Sequence, residues 1–484
     1  MRCLLLWSLL GGLAAAVAGA DPFVLHSLSR TLEVGGSTAR ATSALVLEYT
    51  GSGGSDEALA FHVPVHLLGK VSYVEVKHGK GDSARLLPVR SGRFEPSLSS
   101  HSFEIVVPQD LLQAGRNVSL TVAETFTHLT VPKPKLLEQD SKDGQYMSWS
   151  GDLLGGYARQ RTIGKVVVRV RAPTPNVKSH RAGSGFTSSH TKGSNQVVFS
   201  SSGSVSGEVA GSVHYEQPEP VISFRTLLRL VEVSHWSANL AVEDNISLVN
   251  DGPGLKGHFA RVTHQMQQYM RQAATSSHIL NGLTFYLPPH ATDPYFTDVV
   301  GNVSTSHFRP GRQPSATSRM PVPAALEMSP RYPLLGGWTY NFTLGYNLPL
   351  ATSLRVGRDG KHVLAVPFFT PVKDVAIDQV ETRISLPEGA TDVVVLPPFP
   401  VVTEQVIHST FLDTTGRPTV VLRRHACSDR HGQEVLITYR YSLLRLLQKP
   451  IAVATAALAV FLSGMTLRRV RWSIAPDATA IRAL

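Results

Sequence analysis

The chain has 484 residues, with 46 Lys or Arg, 36 Asp or Glu and 42% hydrophobic content. That length allows two or three cores, and the composition suits neither a many-pass membrane protein nor a disordered chain. Two cysteines, Cys3 and Cys427, exclude a disulfide framework and a four-cysteine zinc module, and residues 21–450, with 41 basic against 35 acidic residues, spread their surplus without a dense basic block, which gives nucleic-acid binding no support.

Residues 1–20 read MRCLLLWSLLGGLAAAVAGA. Arg2 supplies a positive start, and Cys3–Leu10 is an apolar run too short to cross a bilayer. Ala18 and Ala20 place small residues at a cleavage site. This predicts a secretory signal peptide removed before Asp21, with an uncleaved anchor as the alternative.

From residue 21 onward, short strand-like runs recur between turn signals. Val71–Lys77, Phe103–Pro108, Val118–Thr127 and Lys165–Arg171 are β-branched or alternating. Residues 181–213 contain 16 Gly or Ser out of 33 and are expected to form an exposed flexible loop. Pro218-Glu219-Pro220 then suggests a domain boundary. One helix is expected over Leu255–Gln272, with Phe259, Val262, Met266 and Met270 as a core-facing stripe. Arg383–Pro387 and Asp392–Leu396 flank a turn at Pro387-Glu388-Gly389. Val406–Leu412 and Thr419–Leu422 flank Asp413–Gly416, and Glu434–Tyr441 alternates again. No internal repeat is evident.

Residues 451–467 are 17 uncharged residues, about 25 Å as a helix and close to the thinner bilayers. Lys449 and Pro450 precede them, and Arg468, Arg469 and Arg471 follow. The pattern predicts a transmembrane helix over 450–467 and a short cytosolic tail over 468–484, with the rest lumenal. A buried Ala-rich core helix is the alternative, and the three arginines argue against it. Thr455, Ala459 and Ser463 form a small-residue stripe and are candidates for helix packing, with Ala452 and Ala456 as a second pair; a generic anchor without a partner is the other reading. The expected fold class is therefore mainly β: two β-sandwich-like lumenal domains in series, 21–222 and 223–449, followed by one transmembrane helix.

Chemistry-bearing motifs are few. The sequence shows no Gly-x-Ser-x-Gly, His-Glu-x-x-His, Walker or dinucleotide fingerprint and no Asp-x-Asp pair, so no catalytic, cofactor-binding or metal-binding residue is assigned. His425, Cys427 and His431 could supply ligands, but no fourth donor is evident, and a surface loop with incidental histidines is the preferred reading. Cys427 is expected to be a free or buried thiol, with an intermolecular disulfide as an alternative that nothing in the sequence supports. Four Asn-x-Ser/Thr sequons, at Asn117, Asn245, Asn302 and Asn341, are N-glycan candidates.

Several segments carry a resemblance. Glu232-Val-Ser-His-Trp236, Asn239–Asn245 and Leu255-Lys256-Gly257 are followed in order by Tyr295–His307 (YFTDVVGNVSTSH), Pro330–Trp338 (PRYPLLGGW), Gly345–Pro349, Leu386–Ala390 (LPEGA) and Leu412–Pro418 (LDTTGRP). Together they resemble the ribophorin I family, the type I membrane subunit of the eukaryotic oligosaccharyltransferase complex. The similarity thins toward the N-terminus.

The resemblance implies an accessory, non-catalytic subunit of the endoplasmic-reticulum complex that transfers a preassembled oligosaccharide from dolichyl pyrophosphate to asparagine. Implied partners are the other subunits, including a many-pass catalytic subunit and a small membrane subunit, together with nascent polypeptides and the endoplasmic-reticulum membrane. Animal members continue into a cytosolic helical region, whereas this sequence ends at Leu484, as in the shorter fungal type. The rival from another class is a lumenal chaperone or cell-surface adhesion protein, which the fold alone does not separate from the first reading.

Overall fold

The computed structural model describes residues 22–470, apart from 52–54, 80–83, 114, 140, 142–143, 160, 272–276, 314–319 and 411–412. The expected signal peptide and nearly all of the expected tail lie outside the described residues. The described chain is mainly β and separates into two compact units. One comprises the residues up to 35, 39–133 and 146–217. The other comprises 36–38, 134–145 and 218 onward.

In the first unit, an eight-stranded sheet is built around the adjacent strands Phe23–Gly35 and Thr38–Tyr49. Ile163–Arg171 joins Phe23–Gly35 in parallel, with Leu25 opposite Ile163, and Gln196–Ser201 pairs antiparallel with Ile163–Arg171. On the other side of the central pair stand Asn117–Thr127 and then Val71–His78. Phe23, Leu25, Leu28, Arg30, Leu32 and Val34 are buried along the first strand, while the residues between them are half-buried or exposed. That alternation is what a sheet with one covered face requires. A four-stranded and a three-stranded sheet complete the unit.

The second unit repeats this order. Ile222–Ser234 and Asn239–Asn250 form its central hairpin. Ala376–Ser385 joins the first strand in parallel, and Arg417–Cys427 pairs antiparallel with Ala376–Ser385. Thr339–Pro349 and Thr292–Asp298 extend the other side. Its core includes Phe224, Phe285, Phe296, Leu364, Phe368 and Ile437. Strand order recurs without a legible sequence repeat because alternation, not residue identity, sets a half-buried strand.

Both central hairpins bury an arginine at the eighth residue of the first strand. In the first unit, Arg30 Nη2 donates to Glu124 Oε2 at 3.1 Å. Burial raises the Glu124 pKa, and Arg30 only partly opposes it. Arg30 Nη1 has no acceptor among the described residues and borders a cavity of about 90 Å³. In the second unit, Arg229 donates through Nε and Nη2 to Asp244 at 2.7 and 2.6 Å and through Nη1 to Pro367 O at 3.0 Å.

Two expectations change. The Gly/Ser-rich stretch 181–213 is not one flexible loop. It contributes to Val177–Ala182, Phe186–His190, Gln196–Ser201 and Ala210–Glu216. Val197, Phe199 and Val213 are buried there, so the apolar alternation outweighed the composition. The helix is shorter, Arg261–Arg271, after a short strand at Gly254–Lys256. Its stripe is not a core face: Val262 is 69% and Met266 54% exposed, while His264 is buried. Phe259, ahead of the helix, packs edge-on to Trp338 at 5.5 Å, and the Met270 side chain lies outside the described residues. Strands are present on either side of Pro387–Gly389 as expected, at Ala376–Ser385 and Thr391–Leu396. They belong to different sheets, so that turn carries the chain between sheets.

Candidate functional site at the root of the C-terminal helix

The C-terminal helix, Gln448–Arg469, has 22 residues, enough for about 33 Å. Taken with the turn before it, as Leu444–Arg469, it is long and apolar enough to cross a membrane, and none of its most apolar stretch is buried. Its first turn is fastened to the second unit. Lys449 Nζ lies 2.7 Å from Asp413 Oδ1. Gln448 Nε2 donates to Glu388 Oε1 at 3.0 Å and to Thr414 Oγ1 at 2.6 Å.

Those two carboxylates come from turns already singled out in the sequence, Leu386–Ala390 and Leu412–Pro418. Asp413 Oδ2 accepts from the amide and hydroxyl of Thr410 at 2.8 and 2.6 Å, and Arg417 Nε lies 3.4 Å away. Burial works against the Asp413 charge, but Lys449 and Thr410 prevail and hold the carboxyl well below its usual range. Burial also opposes ionisation of Glu388. The amides and hydroxyls of Thr414 and Thr415, 2.6–3.0 Å from Glu388 Oε1, prevail there too and lower its pKa.

A third motif meets these two. Arg417 Nη1 pairs with Glu232 Oε2 at 3.3 Å. Glu232 begins the Glu232–Trp236 segment, which ends the first strand of the central hairpin and leads into its tip. Trp236, at that tip, is 69% exposed. Beside it, His235 stacks on Tyr441 with centroids 4.6 Å apart and shares a 2.8 Å hydrogen bond with Tyr439. Burial, with a smaller effect from His362, pushes the His235 pKa down to about 4, so the imidazole is neutral near pH 7. A groove of about 630 Å³ runs between the hairpin tip and the helix, with Trp236, Arg445, Lys449, Val453 and Ala457 among its walls. The arrangement offers a clamp on two buried carboxylates, Asp413 and Glu388, that holds the first turn of the helix, and a groove beside it.

Two further motif segments build a separate, well-tied hairpin. Asp298 accepts from the Val300 and Gly301 amides at 2.9 and 3.1 Å, from Tyr340 Oη at 3.0 Å and from Arg331 Nε. Asn302 follows on this hairpin and is exposed. Asn117 and Asn341 are also exposed. Asn245 is half-buried; its Nδ2 donates to Glu243 at 3.0 Å, and its Oδ1 accepts from Thr343 at 2.6 Å. Two sequons lie reciprocally on neighbouring strands, with Asn245 opposite Thr343 and Ser247 opposite Asn341.

Thr455, Ala459 and Ser463 are exposed on the helix, and the Thr455 hydroxyl donates to Ala452 O at 2.9 Å. His425, Cys427 and His431 do not share a surface loop. His425 is exposed, whereas Cys427 and His431 are fully buried. His431 Nδ1 accepts from the Ser428 amide at 3.3 Å and caps a short turn. Burial, reinforced by nearby Arg424, lowers its pKa to about 3, and burial pushes the Cys427 thiol up to about 12. Among the described residues, no three His, Cys, Asp or Glu gather as a metal-binding group. Sequence reasoning named Glu388, Asp413 and Trp236 only as letters within motifs. Arg445 and the buried Arg229–Asp244 pair were missed. The signal for Arg229 was present, as a charge set inside the apolar alternation of Leu227–Val233.

These features define a class: a β-rich protein whose second unit is clamped to an apolar helix long enough to cross a membrane. The chain belongs to the ribophorin I family, which matches residues 23–468. It is 30% identical to "Dolichyl-diphosphooligosaccharide--protein glycosyltransferase subunit 1A" of Arabidopsis thaliana, over 99% of this chain and 75% of that one. It is 33% identical to subunit 1 of the same name in Caenorhabditis elegans, over 55% of this chain and 43% of that one. Among solved structures, native leukotriene A4 hydrolase from Saccharomyces cerevisiae covers 43% of this chain and 31% of its own, at 11% identity and a TM-score of 0.28, too slight a likeness to carry an argument.

Proposed function

We propose that this chain is a non-catalytic accessory subunit of the oligosaccharyltransferase complex, which transfers a preassembled oligosaccharide from dolichyl pyrophosphate to Asn-x-Ser/Thr of nascent proteins. Its C-terminal helix anchors it in the endoplasmic-reticulum membrane as a single-pass type I protein, with both β units in the lumen. The observation that carries this reading is a family match across 23–468 that runs through the body, the clamp and the helix together. Relatives that bear the subunit name support it.

The mechanism is positional. An anchored body raises the effective concentration of nascent chains beside an active site on another subunit and helps hold the complex together. Its partners are the many-pass catalytic subunit, a small membrane subunit and the nascent polypeptides. Capture of the full chain from mild detergent, through a tag after Leu484, is expected to retain a many-pass partner in equal amount. The purified chain alone is expected to transfer no glycan. Recovery of the chain without that partner, or transfer by the chain alone, refutes the assignment.

A further inference from the structure

We propose that the groove at the root of the C-terminal helix binds an anionic glycerophospholipid, with its phosphate at Arg445 and Lys449 and an acyl chain along Val453 and Ala457. This rests on the membrane-spanning reading above and adds a ligand to it.

Arg445 stands on the tight turn Leu443–Leu447 that leads into the helix, Lys449, Val453 and Ala457 follow at intervals of four, each about 40° on around the helix, and all four line the groove. Going down the groove, this wall passes from cationic to apolar to small. A phospholipid presents the complementary order, an anionic phosphate at the surface and a hydrocarbon chain beneath it. Arg445 is exposed, and among the described residues no carboxylate lies within ion-pair distance of its guanidinium. Lys449 faces Asp413, and Arg417 faces both Asp413 and Glu232, so these two cations are matched by two carboxylates. Glu388 also borders the groove, but it is 5% exposed and its Oε1 is engaged by Thr414, Thr415 and Gln448. The cation left accessible to a ligand is therefore Arg445, and a phosphate oxygen accepts well from a guanidinium.

The opposite wall is Trp236. An exposed indole on a hairpin tip, level with the start of an apolar helix, suits the interfacial layer where tryptophan is enriched. A partner helix fits this groove less well. Helical residues advance about 100° each, so Thr455 lies about 200° from Val453 and Ala457. The small-residue stripe therefore faces away from the groove and remains free for helix packing.

The test uses the full chain in its complex, reconstituted in phosphatidylcholine nanodiscs. The probes are diazirine-bearing phosphatidylinositol and diazirine-bearing phosphatidylcholine with identical chains. Adducts on Trp236 and Val453 are expected, with phosphatidylinositol favoured about ten-fold, the effect of roughly one charge-assisted hydrogen bond. Arg445→Gln should bring that labelling down to the phosphatidylcholine level, with adducts on outward-facing Leu458 unchanged. Trp236→Ala should weaken labelling by both probes.

Equal labelling by the two probes, indifference to Arg445→Gln, or a photo-crosslinker at Val453 that joins another polypeptide would overturn the lipid site while leaving the anchor intact. An uncharged hydrophobic diazirine forms a separate arm. If it leaves residues 451–467 unlabelled, the membrane-spanning reading itself fails, and the lipid site with it.

Discussion

Arg229 is fully buried, and each nitrogen of its guanidinium has an acceptor. Burial disfavours the charge, and Asp244 overrides that cost and raises the pKa. Asp244→Ala should therefore destabilise the second unit by about 3–5 kcal/mol, because it strands an uncompensated buried cation. Arg229→Met combined with Asp244→Leu should cost less than Asp244→Ala alone. Denaturant midpoints of the detergent-solubilised chain read both, and a double variant worse than the single one would reject this account. His431 makes a different residue-scale prediction. Its folded pKa, about 3, lies below the usual value of 6.5, so between those values the unfolded chain binds the extra proton. Stability from this group is present above about pH 6.5 and is lost as pH falls toward 3. Midpoints measured at pH 7 and 5 should fall in the parent chain and fall less in His431→Asn, which offers an acceptor to the Ser428 amide without a titrating ring. Asp413, whose pKa is lowered, acts at more acid pH, below the ordinary aspartate value of 3.8.

At the scale of elements, close backbone approach matters more than propensity. A Cβ on Gly336 would lie 2.0 Å from Pro253 O, where Gly254 bridges in parallel to Gly336. Its neighbour Gly337 has φ +80° and open space around it. Gly336→Ala should therefore cost about 3 kcal/mol or more through overpacking, and Gly337→Ala about 1 kcal/mol through backbone strain. Comparable thermal shifts for the two variants would show that packing against Pro253 is not the constraint. The elements themselves were partly legible. Val71–His78, Asn117–Thr127 and Glu434–Arg440 follow directly from alternating or β-branched runs. The strands Gln196–Ser201 and Ala210–Glu216 were hidden beneath serine and glycine. Composition counts residues without regard to which side of a strand they occupy. The helix Arg261–Arg271 showed the converse, an apolar periodicity that no core covers.

Topology and glycosylation are predicted together at the scale of the whole molecule. If residues 22–449 face the lumen, protease added to sealed microsomes should spare them, and digestion of that region would overturn the orientation. Gln at Asn117, Asn302 or Asn341 should each remove one endoglycosidase-sensitive increment of mass. Gln at Asn245 should remove none, because its amide is engaged by Glu243 and its sheet face is shared with Asn341. A mass shift with Asn245→Gln would refute that assignment.

The amino-acid sequence by itself determined the β-rich character, the apolar helix and the family. Each is written in local pattern: alternation with period two, an uncharged run, and short motifs in order. Only the tertiary structure decided that Glu232–Trp236, Leu386–Ala390 and Leu412–Pro418 meet at the helix root, and that two units without a visible repeat share one strand order. Both depend on which strands pair across gaps of a hundred residues or more, as when Ile222–Ser234 takes Ala376–Ser385 as its parallel neighbour. Local periodicity says which face of a strand is buried. The choice of neighbour depends on how the whole core packs.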